Sequence, residues 1–205
     1  MDKICYNGKF LKSVDFFLSS NNRGFRYGDS FFETIKCYQG IPLFFEEHYF
    51  RIAASFCVLK LTPPDMFKME ALQSLIKNLL IENNLHYSSA RIRISFFRKE
   101  GGYYCPINNN VNFIIEASKL LENEYTLTAA GLKVGLYKEN ILPKNTLGNI
   151  KSNNKLINVL ASIYAQDQKY DDCILINEDN SIVESISGNL FIVQNNIIKT
   201  PLLED

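Results

Sequence analysis

Lysines are the side chains of this sequence best suited to covalent chemistry. One of them, Lys151, follows a loop rich in Pro, Asn and Gly (140–149) and opens a helical stretch. A side chain at such a junction can face a cleft. There it becomes a nucleophile toward an aldehyde when burial or a neighbouring cation lowers its pKa. Position alone leaves the choice open, because most lysines are simply solvated and Lys144 and Lys155 lie close by. Other chemistries lack the residues they need. Two histidines, His48 and His86, cannot build a multi-histidine metal site, and a Ser-His-Asp triad would have to use one of them. Cys5, Cys37, Cys57, Cys105 and Cys173 stand singly with no CxxC pair, so neither a zinc cage nor a disulfide framework is expected. We read all five as small, reduced, apolar residues, and expect no metal.

Three further stretches change the weight of Lys151. The first is Arg23-Gly24-Phe25-Arg26-Tyr27-Gly28-Asp29-Ser30-Phe31-Phe32-Glu33-Thr34, and the second His48-Tyr49-Phe50-Arg51-Ile52. The third joins Asn149-Ile150-Lys151-Ser152-Asn153-Asn154-Lys155-Leu156 with Val183-Glu184-Ser185-Ile186-Ser187-Gly188-Asn189-Leu190-Phe191. In this order and spacing they resemble the class IV (fold type IV) pyridoxal-phosphate enzymes, which include branched-chain and D-amino-acid aminotransferases and aminodeoxychorismate lyase. The resemblance covers nearly the whole chain. It implies pyridoxal 5′-phosphate as cofactor, with Lys151 as the lysine that forms the internal aldimine and shuttles the proton. It also implies that Glu184 pairs with the pyridine nitrogen, keeping the ring protonated so that it withdraws electrons from a substrate carbanion. Arg51 would grip the phosphate, a task suited to a planar, permanently charged fork. Asn154 and Ser187 fall near the cofactor in similar enzymes. Arg98 resembles a residue of the substrate-side loop, from which it would meet a carboxylate. Phe32 stands where D-amino-acid transaminases carry a tyrosine, and is expected on the substrate side.

The first stretch looks closer to the lyase and to D-amino-acid aminotransferase than to branched-chain enzymes, and the Arg98…Gly101-Gly102-Tyr103 loop resembles the lyase side. The leading expectation is therefore 4-amino-4-deoxychorismate lyase, which eliminates pyruvate to give 4-aminobenzoate for folate synthesis. Transamination of a branched-chain or D-amino acid is the alternative, and a non-catalytic or shortened relative the second. The family also implies a homodimer. The sequence ends at Thr200-Pro201-Leu202-Leu203-Glu204-Asp205, where similar enzymes continue into a turn and a helix N-terminus that hold the phosphate, so the second lobe is expected to be incomplete.

These residues need elements to hold them. Residues 3–11 read as a hairpin turning at Asn7-Gly8, and 30–37 and 41–45 as strands reversed at Gln39-Gly40. Helical spacing covers 46–59, with Ile52, Phe56 and Leu59 on one side. After Pro63-Pro64, Asp65 is expected to cap a second helix with Met66, Met69, Leu72, Ile76 and Leu79 inward. From Ala90 the period becomes two, with Arg91 and Arg93 against Ile92 and Ile94. Strands are also expected at 111–117, 132–137, 173–177, 181–183 and 190–193, with a helix over 155–168. Phe16, Phe17, Phe31, Phe32, Phe44 and Phe45 read mostly as core, His48 as a packing or hydrogen-bonding residue, and His86 as surface. Gly24 and Gly28 serve backbone geometry, since no GxGxxG or Walker pattern surrounds them. The reading is α+β in two lobes, a D-amino-acid aminotransferase-like fold: 1–119 an N-terminal lobe, 120–126 a linker, 127–205 a cofactor-binding lobe.

Composition is that of an ordinary soluble globular protein rather than a disordered or fibrous one. The 205 residues are 46% hydrophobic and 21% charged, and 22 Lys and Arg balance 22 Asp and Glu. No basic excess is offered to a nucleic-acid backbone. No apolar run approaches a membrane span, and the N-terminal MDKICYNGKF lacks a signal-type apolar core, so a cytoplasmic protein is expected; a small amino substrate is what the family resemblance implies.

Overall fold

A computed structural model describes residues 2–121, 125 and 129–203. The chain divides into two units, Met1–Tyr125 with Lys151–Asn153, and Thr126–Ile150 with Asn154–Asp205. The short segment that carries Lys151 thus groups with the first unit, while its flanks group with the second.

The first unit is built on a six-stranded antiparallel sheet. Its strands are β1 (Lys3–Tyr6), β2 (Lys9–Lys12), β3 (Ser30–Tyr38), β4 (Ile41–Pro42), β5 (Ala90–Arg98) and β6 (Val111–Lys119), in the order β2-β1-β6-β5-β3-β4. The hairpins turn where Asn and Gly tolerate positive φ, at Asn7-Gly8 (49° and 85°) and Gln39-Gly40 (49° and 78°). Register pairs Glu33 with Ile94 and Ile94 with Ile115, and one residue along, Thr34 with Arg93 and Arg93 with Glu116. Cross-strand partners share a face, so the sheet has an apolar side and a polar side. Helices α2 (Phe45–Val58) and α3 (Met69–Glu82) cover the apolar side. There Ile52, Phe56, Leu72, Ile76, Leu79 and Leu80 bury against Phe31, Ile35, Ile92, Ile94 and Phe96. Phe31 stacks on Phe96 at 4.9 Å and meets Phe56 edge-on at 5.2 Å. The polar side carries Phe32, Thr34, Arg93 and Ser95, half-buried, and Glu116, exposed.

Several expectations change here. A five-residue helix, α1 (Arg23–Tyr27), forms inside the first motif, its first turn capped by the Asn22 side chain on the Phe25 N–H and its end by Gly28 at φ 65°. Helix α3 starts four residues after Asp65, at the Lys68 cap, which leaves Asp65 and Met66 outside it. Of the six phenylalanines expected mostly in the core, Phe31 and Phe45 are buried, whereas Phe17 and Phe44 are 85% and 73% exposed. His86 is half-buried rather than on the surface. Cys57 and Cys105 are exposed, and only Cys5, Cys37 and Cys173 behave as small buried residues.

The second unit holds a three-stranded sheet of β7 (Val134–Leu142), β8 (Asp172–Asn177) and β9 (Ile182–Ser185). Strand β7 runs parallel to β8, with helix α4 (Leu156–Gln168) in the crossover, and β9 returns antiparallel. Tyr137, Ala161, Ala165, Cys173 and Leu175 form its core. A separate hairpin, β10 (Ile192–Gln194) and β11 (Ile197–Lys199), turns at Asn195-Asn196 and is exposed throughout. No described helix is long and apolar enough to cross a membrane.

Candidate active site

In the first unit the lysine is located by its neighbours in the chain. The Phe32 N–H donates to the Lys151 carbonyl (2.8 Å), and the Asn153 N–H to the Ser30 carbonyl (3.1 Å). Together these lay residues 151–153 antiparallel beside the start of β3, with Phe31 and Ser152 paired. The Asn153 side chain adds a bond to Ser30 Oγ (2.8 Å) and accepts from Arg93 (3.3 Å). Backbone bonds to a central sheet fix a Cα more tightly than a loop can, and this sets where the exposed Lys151 side chain begins. Its Nζ lies 6.0 Å from the centre of the Phe32 ring, and the Arg93 guanidinium lies 3.8 Å from the same centre. Burial lowers the Arg93 pKa, with Arg91 adding to the effect and the Glu116 charge opposing it. Arg93 is thus a partly desolvated cation on the polar face of the sheet. The sequence marked it only as one polar position of an alternating strand. Its pairing across β5 from Thr34, two residues past Phe32, is what brings it to the lysine segment.

Arg51, expected to grip phosphate, reaches from α2 to Glu33 on β3. Its Nε and Nη2 each donate at 2.7 Å to the two carboxylate oxygens, and Nη2 also lies 3.1 Å from His48 Nδ1. Nη1 has no protein partner among the described residues, and the side chain is 45% exposed. Glu33 itself is buried. Burial alone would raise its pKa, yet hydrogen bonds from His48 and Arg51, the Arg51 charge and the Thr34 N–H outweigh it and hold the carboxyl at about 2. Glu33 stands in the first motif with no role that its type and spacing reveal. It fixes the Arg51 fork through Nε and Nη2, which leaves Nη1 as the outer nitrogen.

Arg98 does not stand ready for a substrate. It is 7% exposed, and each guanidinium nitrogen has a protein acceptor: Nε on Asp29 (2.9 Å), Nη2 on the Leu59 carbonyl (2.9 Å), and Nη1 on Asn109 and the Lys60 carbonyl. Asp29 also accepts from Arg23 Nε at 2.8 Å. Arg23, 3% exposed, donates on to the carbonyls of Gly101, Gly102, Tyr103 and Tyr104. One carboxylate therefore joins two buried arginines that anchor the loop between β5 and β6.

The second unit contains Glu184, Asn154 and Ser187. Glu184 lies near the end of β9, half-buried, and accepts from Asn158 of α4 at 3.2 Å, while Asn158 also donates to the Ile186 carbonyl at 2.9 Å. A short polar side chain in the first turn of α4 thus steadies the carboxylate. Asn154 and Ser187 are exposed and make no side-chain hydrogen bond among the described residues.

The first unit thus holds a lysine fixed beside β3 and an arginine with an outward nitrogen, and the second unit a steadied carboxylate; these are side-chain types suited to an aldehyde, a phosphate and a ring nitrogen. The sequence pattern of the family "Amino-transferase class IV" matches residues 30–205. The chain belongs to the class IV aminotransferases. Enzymes of this family depend on pyridoxal phosphate, and the residues described fit that group. A Methanocaldococcus jannaschii protein with a provisional branched-chain-amino-acid aminotransferase name is 31% identical over 97% of this chain and 68% of its own length. Aminodeoxychorismate lyase of Bacillus subtilis is 25% identical over 98% of this chain and 68% of its own. Among solved structures, a T.th. branched-chain amino acid aminotransferase with pyridoxamine 5′-phosphate superposes with a TM-score of 0.84 at 26% identity, covering 97% of this chain and 66% of that one. The Thermoproteus uzoniensis branched-chain aminotransferase shares the fold, with a TM-score of 0.85 at 20% identity over 100% of this chain and 69% of that one. This class IV chain thus spans about two thirds of the length of its relatives.

Proposed function

We propose that this class IV enzyme acts through Lys151 on a carboxylate-bearing amino substrate, with 4-amino-4-deoxychorismate lysis as its reaction. The observation that carries the reading is the fixing of residues 151–153 against β3, which sets the lysine beside Phe32 and Arg93. Bound pyridoxal phosphate supplies an aldehyde and an electron-withdrawing ring. The Lys151 amine would hold the cofactor at its aldehyde carbon and would serve as the base that moves a proton from the substrate carbon. The Glu184 carboxylate holds a proton on the ring nitrogen. Arg51 Nη1 binds phosphate, with the rest of its fork held by Glu33. Arg93, rather than Arg98, binds a substrate carboxylate, and its desolvation strengthens that charge-assisted bond. Phe32 forms an apolar wall without the hydroxyl of a tyrosine. Asn154 and Ser187 add polar contacts to the cofactor.

The alternative is transamination, favoured by the 31% identical relative. The two diverge after proton removal. Incubation of the holoenzyme with 4-amino-4-deoxychorismate should release 4-aminobenzoate and pyruvate in equal amounts. Formation of a 2-oxo acid from valine, leucine or D-alanine with 2-oxoglutarate, and no 4-aminobenzoate, would replace the lyase by the transaminase. The anchored loop carries Tyr103, Tyr104 and Ile107, all more than three-quarters exposed, and such a patch suits a second copy of the chain. Light scattering should give a dimer mass. Five free cysteines agree with a reducing cytoplasm.

A further inference from the structure

We propose that the first unit carries a second ligand site, for a small carboxylate with a flat apolar body, at the far end of β3 from Lys151. A cavity of about 570 Å³ opens between the β3–β4 turn, one side of α3 and the segment leading into β5. That is the size range of small-molecule sites, roughly 300–1,000 Å³. Seven residues of extended strand separate Phe32 from Gln39, about 23 Å at the usual rise, so the cavity is distinct from the lysine site.

Its chemistry is asymmetric. Among the described residues Lys77 is the only charged side chain on the wall, and it makes no ion pair. Ser74, one turn before it on α3, adds a hydroxyl. Ile41 and Ile81 supply apolar sides, and the rings of His86 and Tyr87 lie 4.1 Å apart at the third wall. His86 Nδ1 is buried without a hydrogen-bond partner among the described residues. The Lys77 ammonium, exposed and unpaired among the described residues, shares this wall with the half-buried His86 ring. One cation and no acid select an anion of single charge. Aliphatic and aromatic walls select a flat apolar body, and a phosphate would need more positive partners than the cavity provides. The turn is fitted to this wall: a Cβ on Gly40, whose φ is 78°, would stand 3.1 Å from the His86 carbonyl oxygen. The inference does not rest on the proposed reaction.

The test is a titration of the full chain, labelled at the isoleucine methyls and with ¹⁵N in histidine, using benzoate, benzamide and inorganic phosphate at constant ionic strength. Benzoate should shift the Ile41 and Ile81 methyls and the His86 ring to saturation. Neutral benzamide should bind at least tenfold more weakly, and phosphate should not saturate these signals. Lys77→Met, at an exposed helical position with similar helix propensity, should keep the spectrum of the folded chain and weaken benzoate at least tenfold. Non-saturating shifts, shifts confined to other residues, equal affinity for benzamide, saturation by phosphate, or unchanged affinity in Lys77→Met would each overturn the proposal.

Discussion

Replacing Glu33 by Gln removes one charge from the centre of the first unit while keeping its shape. In the folded chain the carboxyl is held at about 2 against an ordinary 4.5. At roughly 1.4 kcal/mol per decade this is a preference for the ionised, folded form of about 3 kcal/mol. Solvent around the half-exposed Arg51 screens part of it, so we expect Glu33→Gln to cost about 2–3 kcal/mol at pH 7. The sign follows from a depressed folded pKa. The contribution is complete above the unfolded value near 4.5, and it is lost as pH falls toward 2. The gap between wild type and variant should therefore be constant from about pH 5 to 8 and close progressively at lower pH. The chain has no tryptophan, so urea unfolding is followed by far-ultraviolet circular dichroism. Amide exchange in β3 and β5 reads the first unit separately from the second. A gap under about 0.5 kcal/mol at pH 7, within the range of a neutral surface change, would refute the reasoning. So would a gap that stays the same at about pH 3.

Asp29→Asn should be at least as severe, because it strips the shared carboxylate from two buried arginines. A loss of about 3–5 kcal/mol is expected, with faster amide exchange across residues 99–110 than elsewhere in the sheet. Gly135→Ala should destabilise the second unit by about 1–3 kcal/mol, measured by exchange in β7 and β8. An added Cβ there would lie 2.4 Å from the Tyr170 ring. Of the five thiols, Cys57 and Cys105 should react with a disulfide reagent at about pH 8 in the folded chain. Cys37, fully buried and pushed by burial up to about 12, should react only after unfolding, as should Cys5 and Cys173.

Strong periodicity made the sheet and main helices of the first unit readable, since 90–98 alternates and 46–59 keeps its apolar residues on one side. The lysine and its flanking motifs were readable because their types and spacing repeat a family pattern. Arg98 was not, for a physical reason. The alternation of β5 breaks at its end, where Phe96, Phe97 and Arg98 are all buried. An arginine beside a polar loop reads as solvent-facing until its acceptors, which are mostly distant in sequence, are known. Arg93 is hidden for the opposite reason, because a polar position on an alternating strand usually faces water. Here the polar face holds Phe32 and Asn153, and only the β3–β5 register reveals it. The start of α3 differs from its sequence pattern because Asp65 is a good cap by type, whereas the segment after Pro63-Pro64 stays non-helical until Lys68.

The most direct test of Lys151 as the cofactor lysine is an absorbance spectrum of the chain with pyridoxal phosphate, followed by borohydride reduction and peptide mapping. A visible band that reduction removes, leaving one pyridoxyl group on the peptide that carries Lys151 and none on folded Lys151→Ala, is the expected result. A folded chain that gives no band, or a pyridoxyl group on Lys144 or Lys155 instead, would contradict it.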